Sequence, residues 1–329
     1  MAELAPANGA AVRFVSLPER RFPLPVLAGR AALAAAAADV VVLDSIAAAF
    51  VAPWLPRRPA APLVGSLHQP PGGIDHGPLR RPLQAALDRR AWRGAALLLV
   101  ASQALAEELR AGGLPAGRIR VVPPGRDLAA AAGAPPELRH GRRAGLLCVA
   151  NWVARKGILE LLDAVARLSA PLATLHLVGD DRADPRYAAR VRARLARPDL
   201  DGRVVVHGPQ PAERVAALYQ AADVFVLPSF REPYGTVWGE AMAAGLPVVG
   251  WRAGNLPHLA ADGVEGLLVP PGEVAGLAAA LARLAGDEPL RRRLGAAARA
   301  AAAARPTWQQ SAALFFAALH DAAQATGPR

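Results

Sequence analysis

The chain has 329 residues, of which 53% are apolar and 20% charged, so a large core is feasible and wholesale disorder is excluded. That length suits two domains of ordinary size. The net charge is 38 − 27 = +11, but the basic residues are spread evenly and only 5% of residues are aromatic. This pattern argues against a nucleic-acid-binding face and favours at most weak contact with an anionic membrane.

A single cysteine, Cys148, excludes a disulfide framework and a cysteine-rich zinc site. Its apolar neighbours indicate a buried strand thiol, which fits a reducing compartment. The most apolar stretch, Ala31 to Leu55, contains Asp39, Asp44 and Pro53 and is too weakly apolar for a membrane-spanning helix. The N-terminus lacks the basic start and leucine-rich centre of a signal peptide. We therefore expect a cytoplasmic protein.

Short apolar runs of strand length alternate with helical stretches along the chain. The predicted strands are, in order, Val12–Leu17, Val40–Leu43, Pro62–Leu67, Ala96–Val100, Arg118–Val122, Leu146–Ala150, Leu172–Val178, Arg203–Val206, Val224–Leu227, Pro247–Gly250 and Gly266–Val269. Many are rich in valine and leucine without alternation, which is typical of strands buried on both faces of a parallel sheet. Helical periodicity lies between them, as in Leu79–Trp92 and Ile158–Leu168. The alternation predicts a doubly wound α/β architecture.

The chain divides once, where residues rich in Pro, Gly, Ala and Arg lack a strand pattern. We place an N-terminal domain at residues 1–127, a linker at 128–143 and a C-terminal domain at 144–305. Residues 306–329 form an amphipathic helix, a candidate for packing back toward the N-terminal domain. Ligands of open α/β sheets bind beyond the carboxyl ends of the strands, so we expect the chemistry in those loops.

The most informative segment begins at Pro228, where a predicted strand ends. Gly235 allows a turn, and a helix is predicted from about Thr236 to Ala244. The start of this helix presents the backbone N–H groups of Gly235, Thr236 and Val237. Such a terminus binds anions through its free N–H groups and its partial positive charge.

Two carboxylates and one lysine stand out around this predicted anion site. Glu232 precedes the helix and Glu240 lies one turn into it, where each can accept hydrogen bonds from sugar hydroxyls. For either residue alone, a merely helix-stabilising role is the open alternative. Lys156 is the single lysine among the 38 basic residues. It marks a candidate position where a compact ammonium group is needed and a planar guanidinium does not serve.

The segment resembles glycosyltransferase family 4, whose members are retaining nucleotide-sugar enzymes with the GT-B fold. Glu232 and Glu240, with Pro-Tyr-Gly between them and Ala-Met-Ala-Ala-Gly-Leu-Pro-Val after, match the paired-glutamate motif of that family. Further matching stretches follow in the family's order: Cys148–Ile158, Leu177–Asp180, Val206–Pro209, Ala222–Pro228 and Gly263–Gly272. The resemblance implies two doubly wound Rossmann-like domains facing across a cleft: a shortened N-terminal domain on the acceptor side and a C-terminal domain that binds the nucleotide sugar.

The resemblance also implies roles for individual residues of the C-terminal half. Lys156 would hold the donor diphosphate with help from Arg155, and Asn151 stands where the family usually has a second cation. Glu240 would hold the ribose hydroxyls and Glu232 the donor sugar.

Further binding residues follow from the same resemblance. Gly208 and Pro209 would bound the nucleobase, mostly through backbone, and Tyr234 would join the donor-binding loop at the helix start. His68, after the strand Pro62–Leu67, resembles the histidine that the family presents to the donor sugar. Together with Lys156 and Glu232 it is assigned a catalytic role. Asp75 and His76 are weaker candidates in the same loop, and Asp127 is interpreted as a turn residue.

The implied reaction is hexosyl transfer from a UDP- or GDP-sugar with retention of anomeric configuration and without cofactor or metal. The acceptor is a glycan, a lipid or a small molecule. Asp180-Asp181 and Asp199–Asp201 are interpreted as helix caps rather than as a metal-binding Asp-x-Asp motif.

Two other interpretations stay open. The chain begins at what looks like the family's second strand, so acceptor binding and full activity are in question, and a non-catalytic sugar-nucleotide-binding protein is the alternative. A dinucleotide-dependent dehydrogenase ranks low because no Gly-x-Gly-x-x-Gly follows a predicted strand.

Overall fold

Two compact units share the chain. The computed structural model describes residues 1–18, 23–56, 59–75, 77, 79–127, 130–131 and 133–325. The first unit comprises Met1–Gly125 and Pro306–Arg329, and the second comprises Arg126–Arg305. The chain therefore leaves the first unit, forms the second and returns to the first. Within the described residues, no helix has both the length and the apolar character needed to cross a membrane.

The first unit is built on a four-stranded parallel sheet. Its strands are β1 (Val41–Asp44), β2 (Leu63–Leu67), β3 (Leu97–Val100) and β4 (Ile119–Val121), in the spatial order β1-β2-β3-β4. Its early helices are α1 (Gly29–Ala35), α2 (Ala48–Val51), α3 (Arg80–Gly94) and α4 (Gln103–Ala111). Strands in simple chain order place their crossover helices on one face of the sheet, because such crossovers are right-handed.

The second unit contains a six-stranded parallel sheet with the order β10-β9-β8-β5-β6-β7. Its strands are β5 (Ala144–Val149), β6 (Ala173–Val178), β7 (Val204–Gly208), β8 (Val224–Val226), β9 (Val248–Trp251) and β10 (Gly266–Val269). Its helices are α5 (Ile158–Ala166), α6 (Pro185–Leu195), α7 (Ala212–Ala221), α8 (Thr236–Ala243), α9 (Leu256–Leu259), α10 (Val274–Gly286) and α11 (Glu288–Ala303). Counted from β5, this is the Rossmann strand order. The chain first adds β6 and β7 on one side of β5 and then adds β8, β9 and β10 on its other side, so the order switches between β5 and β8.

The last helix, α12 (Trp308–Ala325), completes the core of the first unit. Side chains alternate between the two faces of a strand. On one face, Leu67 and Leu98 pack with Trp92 of α3. On the other face, Val64 and Leu99 share a cluster with α12 through Ala318 and Ala322. The amphipathic stripe of α12 thus covers the sheet face that the crossover helices leave open.

The predicted strand Val12–Leu17 is wrong. These residues form no strand, and the Phe14 side chain is 79% exposed. The Arg13 guanidinium donates to the carbonyl oxygens of Ala35 (2.5 Å) and Ala37 (3.0 Å), so a side chain rather than a backbone ladder fastens this segment. The other ten predicted strands are found within a few residues of their expected bounds.

Residues 126–143 lead into β5, and their described part contains neither helix nor strand. Side chains fix the end of this segment to the second sheet. Arg139 makes a two-pronged ion pair with Asp223, at 2.9 and 2.7 Å, and its carbonyl oxygen accepts from Thr174 at 2.8 Å. The His176 ring lies 2.8 Å from the Leu138 carbonyl oxygen.

Candidate functional site

The loop with Arg155 and Lys156, predicted to hold the donor diphosphate, meets the loop of the paired glutamates where the chain order of the second sheet's strands reverses. β5 and β8 are hydrogen-bonded neighbours, with Leu146 opposite Val224. Residues 150–157 follow β5, and residues 227–235 follow β8 and lead into α8. Connections that leave such a pair of strands diverge, which leaves room for a ligand at the carboxyl edge of the sheet.

Backbone contacts hold the two loops against each other. The Arg155 carbonyl oxygen accepts from the Phe230 amide at 2.8 Å and from the Ser229 hydroxyl at 3.0 Å. The Lys156 amide donates to the Val153 carbonyl oxygen at 2.9 Å. The positions of the Arg155 and Lys156 side chains are therefore set by the loop after β8 as well as by their own loop.

Gly157 is the tightest point of this contact. Its φ of 69° lies in the left-handed region, and a Cβ there would overlap the Pro228 carbonyl oxygen. We expect Gly157→Ala to lower the free energy of unfolding of the second unit by about 2–5 kcal/mol, from left-handed strain and overpacking together. Denaturant unfolding measures this loss.

A matched control is Gly263→Ala. Gly263 has a φ of 77°, and apart from its two chain neighbours no described residue has a heavy atom within 4 Å of a Cβ built there. That variant should lose only the conformational term, about 1–2 kcal/mol. Equal losses in the two variants would contradict the crowding at Gly157.

Two cations and one carboxylate form the polar centre of the site. The Lys156 ammonium is ion-paired with Oε2 of Glu232, and Nη1 of Arg155 lies 3.3 Å from the same oxygen. The Lys156 and Glu232 side chains are each only 12% exposed. Two cations and one carboxylate give the cluster one net positive charge. The Glu232 carboxylate is paired with the same two cations that an incoming anion would bind.

The backbone around Glu232 is fixed by residues that the sequence analysis left without a role. The Asn255 amide donates to the Glu232 carbonyl oxygen at 3.0 Å, and the Asn255 carboxamide donates to that of Tyr234 at 2.9 Å. A Cβ on Gly254 would lie 2.7 Å from the Glu232 carbonyl oxygen. The Gly254-Asn255 pair just before the short helix α9 is the sequence feature from which this close approach could have been predicted.

Helix α8 begins at Thr236, as predicted, after Gly235 with a φ of 78°. A Cβ on Gly235 would overlap the Trp238 ring, so glycine is required by both conformation and space. None of the described side chains caps this helix start. The first-turn amides of Thr236 and Val237 lie beyond the reach of intrahelical acceptors, and anion binding by them stays a prediction.

Glu240 lies inside α8, in an environment separate from the cation cluster. Its Oε2 accepts from the Tyr219 hydroxyl at 3.0 Å. Burial raises the pKa of Glu240, and the hydrogen bond from Tyr219 partly opposes that rise. Burial likewise holds the pKa of Tyr219 well above its ordinary range, so the phenol stays a donor. Sequence reasoning missed Tyr219, although a buried tyrosine generally needs a partner for its hydroxyl.

Tyr219→Phe is expected to raise the pKa of Glu240 further, because it removes the donor that stabilises the carboxylate. If the Glu240 carboxylate accepts hydrogen bonds from a bound nucleotide, the affinity for that nucleotide falls as the pH drops through the pKa of Glu240. The acid limb of nucleotide affinity should therefore move to higher pH in the variant. Calorimetric titrations across pH 4.5 to 8 measure this limb, and an unmoved limb would show that the Tyr219 bond does not tune Glu240.

The other predicted residues of the second unit lie at the carboxyl ends of β5 and β7 or in the loops that follow them. Asn151 Oδ1 accepts from the Asp180 amide at 3.2 Å, so it ties the loop after β5 to the loop after β6. Gly208, with a φ of 66°, ends β7 and accepts from the Gly179 amide at 3.0 Å, and Pro209 is exposed. Because β6 lies between β5 and β7 in the sheet, Gly208 and Pro209 are one strand away from the loop after β5.

The first unit holds the other predicted catalytic residue. His68 follows β2, and its Nε2 lies 2.6 Å from Oδ2 of Asp44 at the end of β1. The sequence analysis gave Asp44 no role, although adjacent parallel strands bring their carboxyl ends together. Asp75 and Asp127 are both described and make further contacts, whereas His76 lies outside the described residues.

The interpretation of the aspartates in the second unit as helix caps is wrong for α6. Asp184 caps that helix, accepting from the Arg186 and Tyr187 amides, because it directly precedes Pro185. Asp180, Asp181 and Asp199 instead pair with Arg182, Arg192 and Arg194. In the described part of the chain, no three His, Cys, Asp or Glu side chains are grouped to hold a metal ion.

Comparison with known families and proteins decides the family. The model of "Glycosyl transferases group 1" matches residues 143–287, and that of "Glycosyl transferase 4-like domain" matches residues 2–125. The chain belongs to the group 1 glycosyl transferases.

Two relatives of this group 1 glycosyl transferase are named D-inositol 3-phosphate glycosyltransferase. That from Nocardia farcinica is 35% identical over 196 residues, which cover 54% of this chain and 42% of the relative. That from Xylanimonas cellulosilytica is 33% identical over 244 residues, covering 70% of this chain and 58% of the relative. The matched stretches thus span about half the length of these two relatives.

Solved structures place the group 1 glycosyl transferase in the GT-B fold, as expected. Sucrose-phosphate synthase from Thermosynechococcus elongatus superposes with a TM-score of 0.78 and 25% identity, over 95% of this chain and 81% of that one. Anabaena HepE in complex with UDP-glucose gives a TM-score of 0.75 at 23% identity, over 95% and 86%.

Proposed function

We propose that this chain is a retaining glycosyltransferase that moves a hexosyl group from a nucleotide-diphosphate sugar to an acceptor without a metal. The observation that carries the proposal is the cluster of Lys156, Arg155 and Glu232 beside the uncapped start of α8. It supplies fixed positive charge and N–H donors at the edge of the sheet where ligands bind. UDP is the first candidate nucleotide, because HepE is described in complex with UDP-glucose, and GDP is the second.

The chemistry explains why such a cluster is needed. Transfer breaks the bond between the anomeric carbon and a phosphate oxygen, and negative charge develops on the departing diphosphate. Lys156, Arg155 and the amides of Thr236 and Val237 would stabilise that charge in the transition state. In a retaining reaction, the acceptor oxygen attacks the same face of the sugar, and the departing phosphate takes the acceptor's proton.

The two glutamates would bind different parts of the donor. Glu240, inside α8 and partnered by Tyr219, would accept from the ribose hydroxyls. Glu232 would accept from hydroxyls of the donor sugar once the diphosphate replaces it on Lys156 and Arg155. A phosphorylated polyol is the first acceptor class to test, since the two relatives are named for D-inositol 3-phosphate.

The test is a transfer assay with UDP- and GDP-sugars, with and without inositol 3-phosphate and with a chelator throughout. The proposal expects nucleotide diphosphate release that depends on an acceptor and persists in the chelator. Proton NMR should show that the product keeps the anomeric configuration of the donor. Nucleotide binding without transfer to any acceptor would instead select a non-catalytic sugar-nucleotide-binding protein.

A further inference from the structure

Two side-chain hydrogen bonds join α3 of the first unit to two short helical turns. Nε of Arg90 on α3 donates at 3.0 Å to the carbonyl oxygen of the first residue in the turn Ala52–Trp54. The Trp54 indole donates at 2.6 Å to a carbonyl oxygen of the turn Leu24–Ala28. The three elements therefore form one continuous surface, which we call the α3 surface.

The α3 surface exposes large leucine side chains to solvent. Leu79, directly before α3, is 92% exposed, Leu83 on α3 is 54% exposed, and Leu27 on the first turn is 74% exposed. Single exposed leucines are ordinary on a protein surface. Several on joined elements make a patch of the kind that marks a site of interaction with a protein or a membrane.

The exposed side chains of α3 follow one stripe of the helix. Leu79, Leu83, Ala86, Arg90 and Arg93 recur at intervals of three or four residues, which places them on one helical face, and all five are exposed. The opposite face of α3 is buried in the core. The stripe is thus apolar in its first half and basic in its second half.

The charge of the α3 surface has one sign, although charge is spread evenly along the sequence. Helix α3 contains five arginines and one carboxylate, that of Asp88, which is buried. The Asp88 carboxylate accepts from the Gly72 amide at 2.8 Å, so it is bound inside the unit. Neither of the two turns contains an acidic residue. The α3 surface is therefore apolar and positively charged.

We propose that the α3 surface docks on an anionic phospholipid bilayer. Leu27, Leu79 and Leu83 would enter the headgroup region, while the arginines of α3 pair with lipid phosphates. Interfacial helices combine apolar and basic residues in this way. A nucleic acid would satisfy the arginines but leave the leucines in water, whereas a bilayer satisfies both. Docking of this kind does not depend on the proposed transfer reaction.

Flotation of the intact chain with lipid vesicles tests the docking directly. The chain should float with vesicles of equal parts phosphatidylglycerol and phosphatidylcholine, and much less with vesicles of phosphatidylcholine alone. Added salt should weaken flotation, because salt screens exposed charges. Equal flotation with both kinds of vesicle, or flotation with neither, would overturn the proposal.

The leucines are tested by a matched pair of variants. Leu83→Ser should lower the affinity for the anionic vesicles about fivefold or more, because an apolar side chain no longer leaves water on docking. Leu314→Ser is the control, since Leu314 is similarly exposed, at 49%, on α12, which covers the other face of the first sheet. It should leave the affinity unchanged. Equal losses in these two variants would contradict docking through the α3 surface.

The arginines are tested by two double variants with the same change in net charge. Arg89→Ser with Arg93→Ser removes two exposed charges from α3 and should lower vesicle affinity roughly ten- to thirtyfold, since each arginine near an anionic surface contributes about fivefold. Arg186→Ser with Arg197→Ser removes two exposed charges from the second unit and should change it little.

Two further results would overturn the proposal. Equal losses in the two double variants would show attraction by net charge without a defined docking surface. Binding of the chain to duplex DNA or to an acidic polypeptide, with no flotation on anionic vesicles, would assign the α3 surface to another class of partner. Circular dichroism and thermal unfolding check that every variant is folded, which is expected because the substituted side chains are exposed.

Discussion

Lys156→Ala is expected to lower kcat/KM for glycosyl transfer by about a hundred- to a thousandfold, the usual cost of removing one transition-state donor. Lys156 is a nearly buried ammonium at the end of the loop after β5, and the loop after β8 holds that backbone in place. The loss should exceed the loss of affinity for the free nucleotide, since charge on the diphosphate grows as the sugar departs. Steady-state kinetics and calorimetry on the same variant measure the two effects.

Two further variants sharpen this result. Arg155→Ala removes the neighbouring cation, whose side chain is 22% exposed and lies further from Glu232, so its effect should be smaller. Lys156→Arg keeps the charge but replaces a compact ammonium with a planar group, so rescue should be incomplete. Unchanged turnover in a folded Lys156→Ala protein would contradict the assigned role.

Glu232→Gln is expected to change affinity and turnover in opposite directions. In the free chain the Glu232 carboxylate is paired with both Lys156 and Arg155, so a diphosphate must displace it. Without the negative charge, affinity for a free nucleotide diphosphate should rise about tenfold. That factor corresponds to the lower end of the free energy that a hydrogen bond to a charged group contributes. Transfer should nevertheless fall, because the acceptor for the sugar hydroxyls is weakened.

Glu240→Gln is the matched control for this prediction. The two glutamates lie in one segment, but Glu240 is partnered by the Tyr219 hydroxyl rather than by a cation. Its amide variant should weaken nucleotide binding instead of strengthening it. Weaker binding of UDP in both variants would contradict the view that Glu232 competes with the diphosphate.

The sequence predicted much of the second unit because its signals are local. Strands buried on both faces read as continuous apolar runs, and Gly235 with the following helix marks an anion site within a few residues. A parallel sheet then collects the loops after β5 and β8 at one edge. The contact of Lys156 with Glu232 therefore follows from motifs that lie 76 residues apart.

Contacts that depend on tertiary packing were not predictable in the same way. The Val12–Leu17 run is apolar like a strand, but Arg13 fastens it to carbonyl oxygens at the last residue of α1 and just beyond it. Tyr219, Asn255 and Asp44 acquire their partners only when helices and strands distant in sequence are brought together. Their residue types are ordinary in the sequence, and no local spacing identifies those partners.

The measurement that tests the central claim most directly is calorimetric titration of the intact chain with UDP and GDP, alongside Glu240→Ala. A nucleotide-sugar site at the edge of β5 and β8 predicts that one nucleotide binds and that the variant binds it more weakly. Failure of both nucleotides to bind the folded chain, or equal affinity in Glu240→Ala, would contradict a donor site built from these residues.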